Sequence, residues 1–149
     1  MIKFTETQAF PLSAYGVLGI TSGISLYAVQ CIPGRIGWGF YWFVLPLALA
    51  WNLLFQRTTV TETELTVTFG AFLPLYRRRI PLTKIESAEA VTYAPIAEYG
   101  GWGIRGWGAN TALNARGNRG VRLTLRDGRR VLVGSQRPDA LANAVITGR

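Results

Sequence analysis

Two hydrophobic patterns divide the chain. From Thr7 to Gly34, and again from Ile36 to Gln56, no residue is charged. Beyond Gln56 the pattern changes to alternation. Val60, Leu65, Val67 and Phe69 are interleaved with Thr66 and Thr68, the period of two of half-buried strands. A bilayer core is crossed by roughly 20 apolar residues in a helix. The first pattern therefore predicts two membrane-spanning helices, at 12–31 and 36–55, with Pro33-Gly34 as the tight turn between them. Trp38, Tyr41 and Trp42 at one end of the second span, with Trp51 at the other, read as interfacial aromatics.

Two other origins of such a pattern fit less well. A signal peptide needs a charged start and a small-residue cleavage site, but Lys3 stands alone and Gln30-Cys31 suits neither cleavage nor lipidation. A buried pair of soluble helices would explain the dilution of the first segment by Gly16, Gly19, Ser22, Gly23 and Ser25. The second segment argues against it. Trp38, Phe40, Trp42, Phe43, Val44 and Leu45 are apolar around the whole helix, which suits lipid. Arg35 is the only cation between the spans, whereas Arg57 and Arg77–Arg79 follow them. The positive-inside rule then predicts a multi-pass protein of the inner (cytoplasmic) membrane with both termini cytoplasmic. Gly16, Gly19 and Gly23 share a face, and small residues at that spacing let helices approach closely in lipid. That face packs the first helix either on the second or on another membrane subunit. Pro46 predicts a kink, and Asn52 needs a polar partner or a headgroup.

Residues 1–56 are thus expected to be a transmembrane hairpin, and 57–149 a cytoplasmic β domain. Thr61-Glu62-Thr63-Glu64 supplies the first turn, and Tyr76–Ile80 and Ile85–Tyr93 read as further strands. Val121–Leu125 and Val131–Val133 flank Asp127-Gly128, a strong hairpin signal. Pro138-Asp139 opens a short closing helix, with Leu141, Val145 and Ile146 as its inward positions. This makes about seven antiparallel strands capped by a C-terminal helix.

Composition narrows the chemistry. Sixteen Lys and Arg against eight Asp and Glu give a net charge of +8, and only Lys3, Glu6 and Arg35 precede Arg57. Such a basic domain suits anionic headgroups or nucleic acid. Held against anionic lipid, it needs no nucleic acid to explain it. Cys31 is the only cysteine and there is no histidine. An internal disulfide, a Cys-based zinc site, a Ser-His-Asp triad and the usual general base are all excluded. Glu86, Glu89 and Glu98 pair with no nucleophile or metal-binding partner in the sequence. No enzyme activity, metal or cofactor is expected.

The order of several motifs carries a resemblance. Val60-Thr61-Glu62-Thr63-Glu64-Leu65, then Arg79-Ile80-Pro81-Leu82-Thr83-Lys84-Ile85, then Gly120–Gly128 and Gly134-Ser135-Gln136-Arg137-Pro138 resemble bacterial pleckstrin-homology-like (PH-like) domains. Some members of that group, attached to two membrane helices, carry a run similar to Tyr99-Gly100-Gly101-Trp102-Gly103-Ile104-Arg105. The resemblance spans roughly residues 57–147. It implies a barrel or sandwich of two nearly orthogonal sheets capped by a helix, with no shared catalytic residues.

Three groups of residues are candidates for binding. In a strand Arg77 and Arg79 point to one face and Arg78 to the other; this cluster, to whose basic surface Arg116 and Arg119 add, is either a solvated strand edge or a contact for headgroups or a partner. Trp102, Ile104, Arg105 and Trp107 belong to a glycine-rich stretch. It is either a tight strand connection covering one end of the core or an exposed aromatic loop that grips a partner. Its GxGxxG spacing lacks a strand-to-helix context and is accidental. Asn114–Arg119 reads as a hairpin loop. Gly16, Gly19 and Gly23 complete the set as a helix-packing face. The expectation is a membrane-anchored adaptor or accessory subunit binding a membrane-associated protein at the cytoplasmic surface, within a homo-oligomer or larger membrane complex. The alternative is a sensor of anionic lipid headgroups.

Overall fold

The computed structural model describes residues 1–30, 38–106 and 108–148. The predicted turn at Pro33-Gly34, together with Cys31, Arg35 and Trp107, lies outside the described residues, as do the side chains of Trp38, Tyr41 and Trp42. Strand β1 (Ile2–Ala9) opens the chain and is followed by helices α1 (Leu12–Gln30) and α2 (Trp38–Asn52). Strands β2 (Phe55–Thr61), β3 (Glu64–Phe69) and β4 (Tyr76–Pro81) then form an antiparallel four-stranded sheet with β1, in the order β1-β2-β3-β4. The second sheet holds β5 (Ile85–Thr92), β6 (Gly103–Arg105), β7 (Asn110–Asn114), β8 (Arg119–Leu125) and β9 (Arg130–Gly134), ordered β5-β8-β9-β7-β6. Short helix α3 (Pro95–Tyr99) precedes β6, and α4 (Pro138–Ile146) closes the chain. The result is a mainly-β, sandwich-like domain with a C-terminal helix, an arrangement compatible with a PH-like fold.

Alternation builds the core. Val60, Leu65, Val67, Phe69 and Ile80 point inward from the first sheet. They meet Ile85, Val121, Leu123, Val131 and Val133 from the second, and Leu141, Ala142 and Val145 of α4. Ile146, expected to point inward, is exposed, and Ala142 takes that role.

The two expected membrane spans are corrected. Among the described residues no helix is long and apolar enough to cross a membrane, so the multi-pass inner-membrane placement with cytoplasmic termini is not supported. The reasons are geometric. α2 has 15 residues and includes Pro46, a rise of about 22 Å against the ~30 Å of a bilayer core. The apolar run that lengthened the second span to Phe55 belongs elsewhere: Leu54 is buried and Phe55 is already in β2. α1 reaches 19 residues, but glycine, serine and threonine interrupt it.

Residues 2–9, assigned from sequence to the hairpin segment, are a strand of the β domain. β1 pairs with β2 from Phe4↔Val60 to Ala9↔Phe55, so both helices leave and rejoin the same end of one sheet. Near that end the inward positions become polar. Glu6 is buried, and its carboxylate accepts hydrogen bonds from Ser135 Oγ (2.6 Å) and the Gln136 N–H (3.0 Å). Gln8 donates from Nε2 to the Gly134 carbonyl at 2.9 Å, and Gln56 from Nε2 to the same carbonyl at 3.4 Å. Gly134 itself is required by the close approach of β7, because a Cβ there would lie 2.8 Å from Asn114 Cβ. Replacing Glu6 with Ala strands the Ser135 hydroxyl and the Gln136 amide. A loss of about 2–3 kcal/mol is expected, the scale of hydrogen bonds to a buried charge. Denaturant unfolding checks this; a loss below about 0.5 kcal/mol, typical of a surface position, would show that β1 is not clamped.

Candidate functional site

The outer face of the first sheet carries three arginines, Arg57, Arg77 and Arg79. In the β2–β3–β4 register, Arg57 lies opposite Thr68, which lies opposite Arg77; the next row outward-facing is Thr59, Thr66 and Arg79. Strands sit about 4.8 Å apart, so Arg57 and Arg77, on either side of Thr68, have backbones about 10 Å from each other, within reach of one group. Together they line a shallow groove of about 370 Å³. Arg79 approaches Glu64 only at 4.0 Å, and both groups are well exposed, so solvent screens the pair. Among the described residues Arg57 and Arg77 make no ion pair.

One end of this groove is closed by the β3–β4 connection, residues 70–75. Asn52, the last residue of α2, holds it. Its Oδ1 accepts from the Phe72 and Leu73 N–H groups at 2.8 and 3.2 Å, and its Nδ2 donates to the Leu73 carbonyl at 2.6 Å. This is the polar partner that Asn52 required. Gly70 is obligatory there: its φ is +130° and a Cβ would lie 1.8 Å from the Leu73 oxygen. So fixed, the loop presents Phe72 at 93% exposure with Leu73 and Leu75 beside it.

The other predicted groups divide. Arg78 points to the opposite side of β4 and lines a separate cleft with Tyr76, Ile104 and Arg129. Arg119 pairs with Asp139 at 3.7 Å, and Arg116 is exposed in the β7–β8 connection. That connection is not a hairpin, because β7 pairs in parallel with β9 and antiparallel with β6. The structure therefore does not gather the five arginines into one surface. Arg57, Thr66, Thr68 and Phe72 were missed from sequence. The two-residue turn at Glu62-Thr63 was the signal, since it sets Arg57 opposite Thr68.

Trp102 and the glycines beside it are hydrogen-bonded into the fold. Gly100 ends α3 in the left-handed conformation at φ 72°. Trp102 is half-buried and donates from Nε1 to the Gly117 carbonyl at 2.9 Å. The Gly103 N–H donates to Asn114 Oδ1 at 3.0 Å, and Arg105 Nε donates to the Trp102 carbonyl at 3.0 Å. Ile104 remains 41% exposed on the edge strand β6. Trp102 is thereby tied to the connection between β7 and β8. Glu98 is structural too, accepting from the Ala94 N–H at 2.7 Å.

The uncharged helices form the second surface. α1 meets α2 through Tyr15, which packs on Trp51 with ring centroids 5.7 Å apart, and through Ser22, whose hydroxyl lies 3.4 Å from Trp51 Nε1. Gly16, Gly19 and Gly23 lie on another flank. They are exposed, and a Cβ at each would meet no described atom within 4 Å. Val17, Ile20, Ile24 and Tyr27 are exposed on the same helix. In comparisons with protein-family models and with curated proteins, nothing matches this chain.

Two outcomes follow. Asn52→Ala releases the 70–75 loop, and amide exchange at Phe72 and Leu73 is expected to rise at least about tenfold; unchanged protection would show that Asn52 does not hold it. Tyr93 gives a pH signature. Burial raises its phenol above the ordinary 10.0, the Asn114 amide partly offsets this, and the charges of Tyr99 and Glu98 add to it. The folded chain holds that proton longer than the unfolded chain, so the contribution is complete below pH 10 and declines as pH rises beyond it. Tyr93→Phe should flatten this alkaline decline in thermal unfolding, while costing about 1–3 kcal/mol at neutral pH because the Asn114 amide loses its acceptor. An unaltered alkaline slope would contradict the assignment.

Proposed function

We propose that this protein is a non-catalytic adaptor or accessory subunit, with a bacterial PH-like domain that binds a membrane-associated protein partner. The observation that carries this reading is the exposed, uncharged flank of α1 around Gly16, Gly19 and Gly23, where a Cβ would meet no described atom within 4 Å. Contiguous apolar surface of this kind marks an interaction site. Small residues there let a partner helix approach closely. The β domain supports the reading by its two sheets and capping helix, and by the order of motifs that resembles PH-like domains. Its carboxylates Glu6 and Glu98 are committed to backbone and hydroxyl groups. A second copy of the chain is one form such a partner takes.

The test is to fill the flank. Gly19→Leu and Gly23→Leu keep the helix and raise its apolarity, since leucine is the better helix former, but they block close approach. Partner recovery after gentle purification and cross-linking is expected to fall at least about tenfold, with the unfolding temperature of the β domain unchanged. Undiminished recovery, or a wild-type chain that purifies only as a lone monomer, would refute the proposal. A second reading, recognition of anionic lipid headgroups, is favoured by the Arg57, Arg77 and Arg79 face.

A further inference from the structure

The groove on the first sheet joins two features that differ in chemistry. Arg57, Arg77 and Arg79 stand beside the hydroxyls of Thr66 and Thr68, and this basic row runs into a loop whose tip is apolar. Phe72 is 93% exposed, Leu73 57% and Leu75 46%, although a buried position would be favourable for each. The loop is not merely slack chain, because three hydrogen bonds from Asn52 hold it in that presentation. An aqueous phosphate ion would engage the arginines and leave the apolar tip in water. A phospholipid surface offers both phases in the right order, phosphates outside and acyl chains beneath.

We propose that the outer face of the β2–β3–β4 strands docks on an anionic phospholipid bilayer, with Arg57, Arg77 and Arg79 on headgroup phosphates and Phe72, Leu73 and Leu75 entering the acyl boundary. This rests on the headgroup reading and adds the residue set and the orientation. Arg57 replaces Arg78, which faces the other way. Basic residues near such a surface contribute electrostatically and act with the apolar residues rather than instead of them. The two parts therefore have separable signatures: the arginines set the preference for anionic lipid, and the loop sets the overall level of binding.

Co-sedimentation of the full chain with phosphatidylcholine vesicles, and with vesicles containing one quarter phosphatidylglycerol, measures both quantities. The apolar helices contribute alike in every variant, so comparisons between variants isolate the face. Wild type should partition more strongly onto the anionic vesicles. Arg57→Gln, Arg77→Gln and Arg79→Gln together should lower that partition about a hundredfold, towards the neutral-vesicle value. Phe72→Ser should lower binding to both vesicle types at least about tenfold while keeping their ratio. Lys84→Gln with Arg126→Gln, at the far end of the domain where the Arg126 N–H meets the Lys84 carbonyl, should leave the ratio nearly unchanged. Equal binding of wild type to both vesicle types overturns the headgroup reading and this proposal together. An anionic preference that survives the triple substitution, or unchanged binding by Phe72→Ser, overturns this face alone. Release from anionic vesicles by millimolar inorganic phosphate at constant ionic strength would identify a free-phosphate site instead.

Discussion

The pairing of β1 with β2 is the constraint on which the rest depends. It joins Ala9 to Phe55 across both helices, and closing a flexible segment of roughly 45 residues costs about 3 kcal/mol in chain entropy. Ladder hydrogen bonds are not the only offset. Glu6, Gln8 and Gln56 reach across the sandwich to the end of β9, so the first strand is tied to the last as well as to its neighbour. Arg137 adds a further tie, donating to the Thr5 carbonyl at 2.9 Å with its guanidinium 5.0 Å from the Phe4 ring centre. The stitch is imperfect: Gln8 Oε1 and Gln56 Oε1 are buried with no partner among the described residues. Its worth therefore lies in fixing which strand sits where, more than in net stability.

That clamp decides how the helices are presented. They do not precede the β domain as a separate anchor; they are an insertion between two paired strands. The same sheet end carries the 70–75 loop, because the Gly70 N–H donates to the Phe55 carbonyl and Asn52 grips the next turn. An apolar helix flank and an apolar loop tip thus emerge near one another, beside a face whose outward rows hold Arg57 and Arg77. Nothing about those arginines is local in sequence. Cross-strand register makes them neighbours.

The alternating strands were legible because burial on one face imposes a period of two. Val60, Leu65, Val67 and Phe69 announced themselves in this way, as did the Asp127-Gly128 turn between β8 and β9. β1 was not legible. Its inward residues are Phe4, Glu6 and Gln8, and buried polar groups remove the alternation that marks a strand. β6 and β7 were hidden for another reason: glycines and a parallel pairing carry no short-range signal. The helix limits failed where apolar residues serve two purposes. Leu54 and Phe55 extend a hydrophobic run yet belong to the sheet, so run length overstated the second helix. Of the candidate site, the triplet Arg77–Arg79 was visible, but a strand separates Arg78 from its neighbours. Only the register of three strands brings in Arg57.

The distribution of charge then acquires a structural reason. A cation on the β1 or β2 inward positions near the helices would meet the buried carbonyls and amides around Gly134, with no room for its hydration. Uncharged Gln8 and Gln56 satisfy that site instead. The outward positions of the same strands carry no such restriction, and there threonine alternates with arginine: Thr5, Thr7, Thr59, Thr66 and Thr68 against Arg57, Arg77 and Arg79. A merely solvated sheet face would gain from mixing acidic and basic residues, since interspersed charges relieve self-repulsion. Among the described residues Glu64 is the only carboxylate lining this groove, and it sits beside Arg79. Three cations left with so little internal compensation repel one another, and an external anion relieves that repulsion more than it would at an isolated arginine. An anion on this face would supply the compensation that Arg57 and Arg77 do not receive from the described carboxylates.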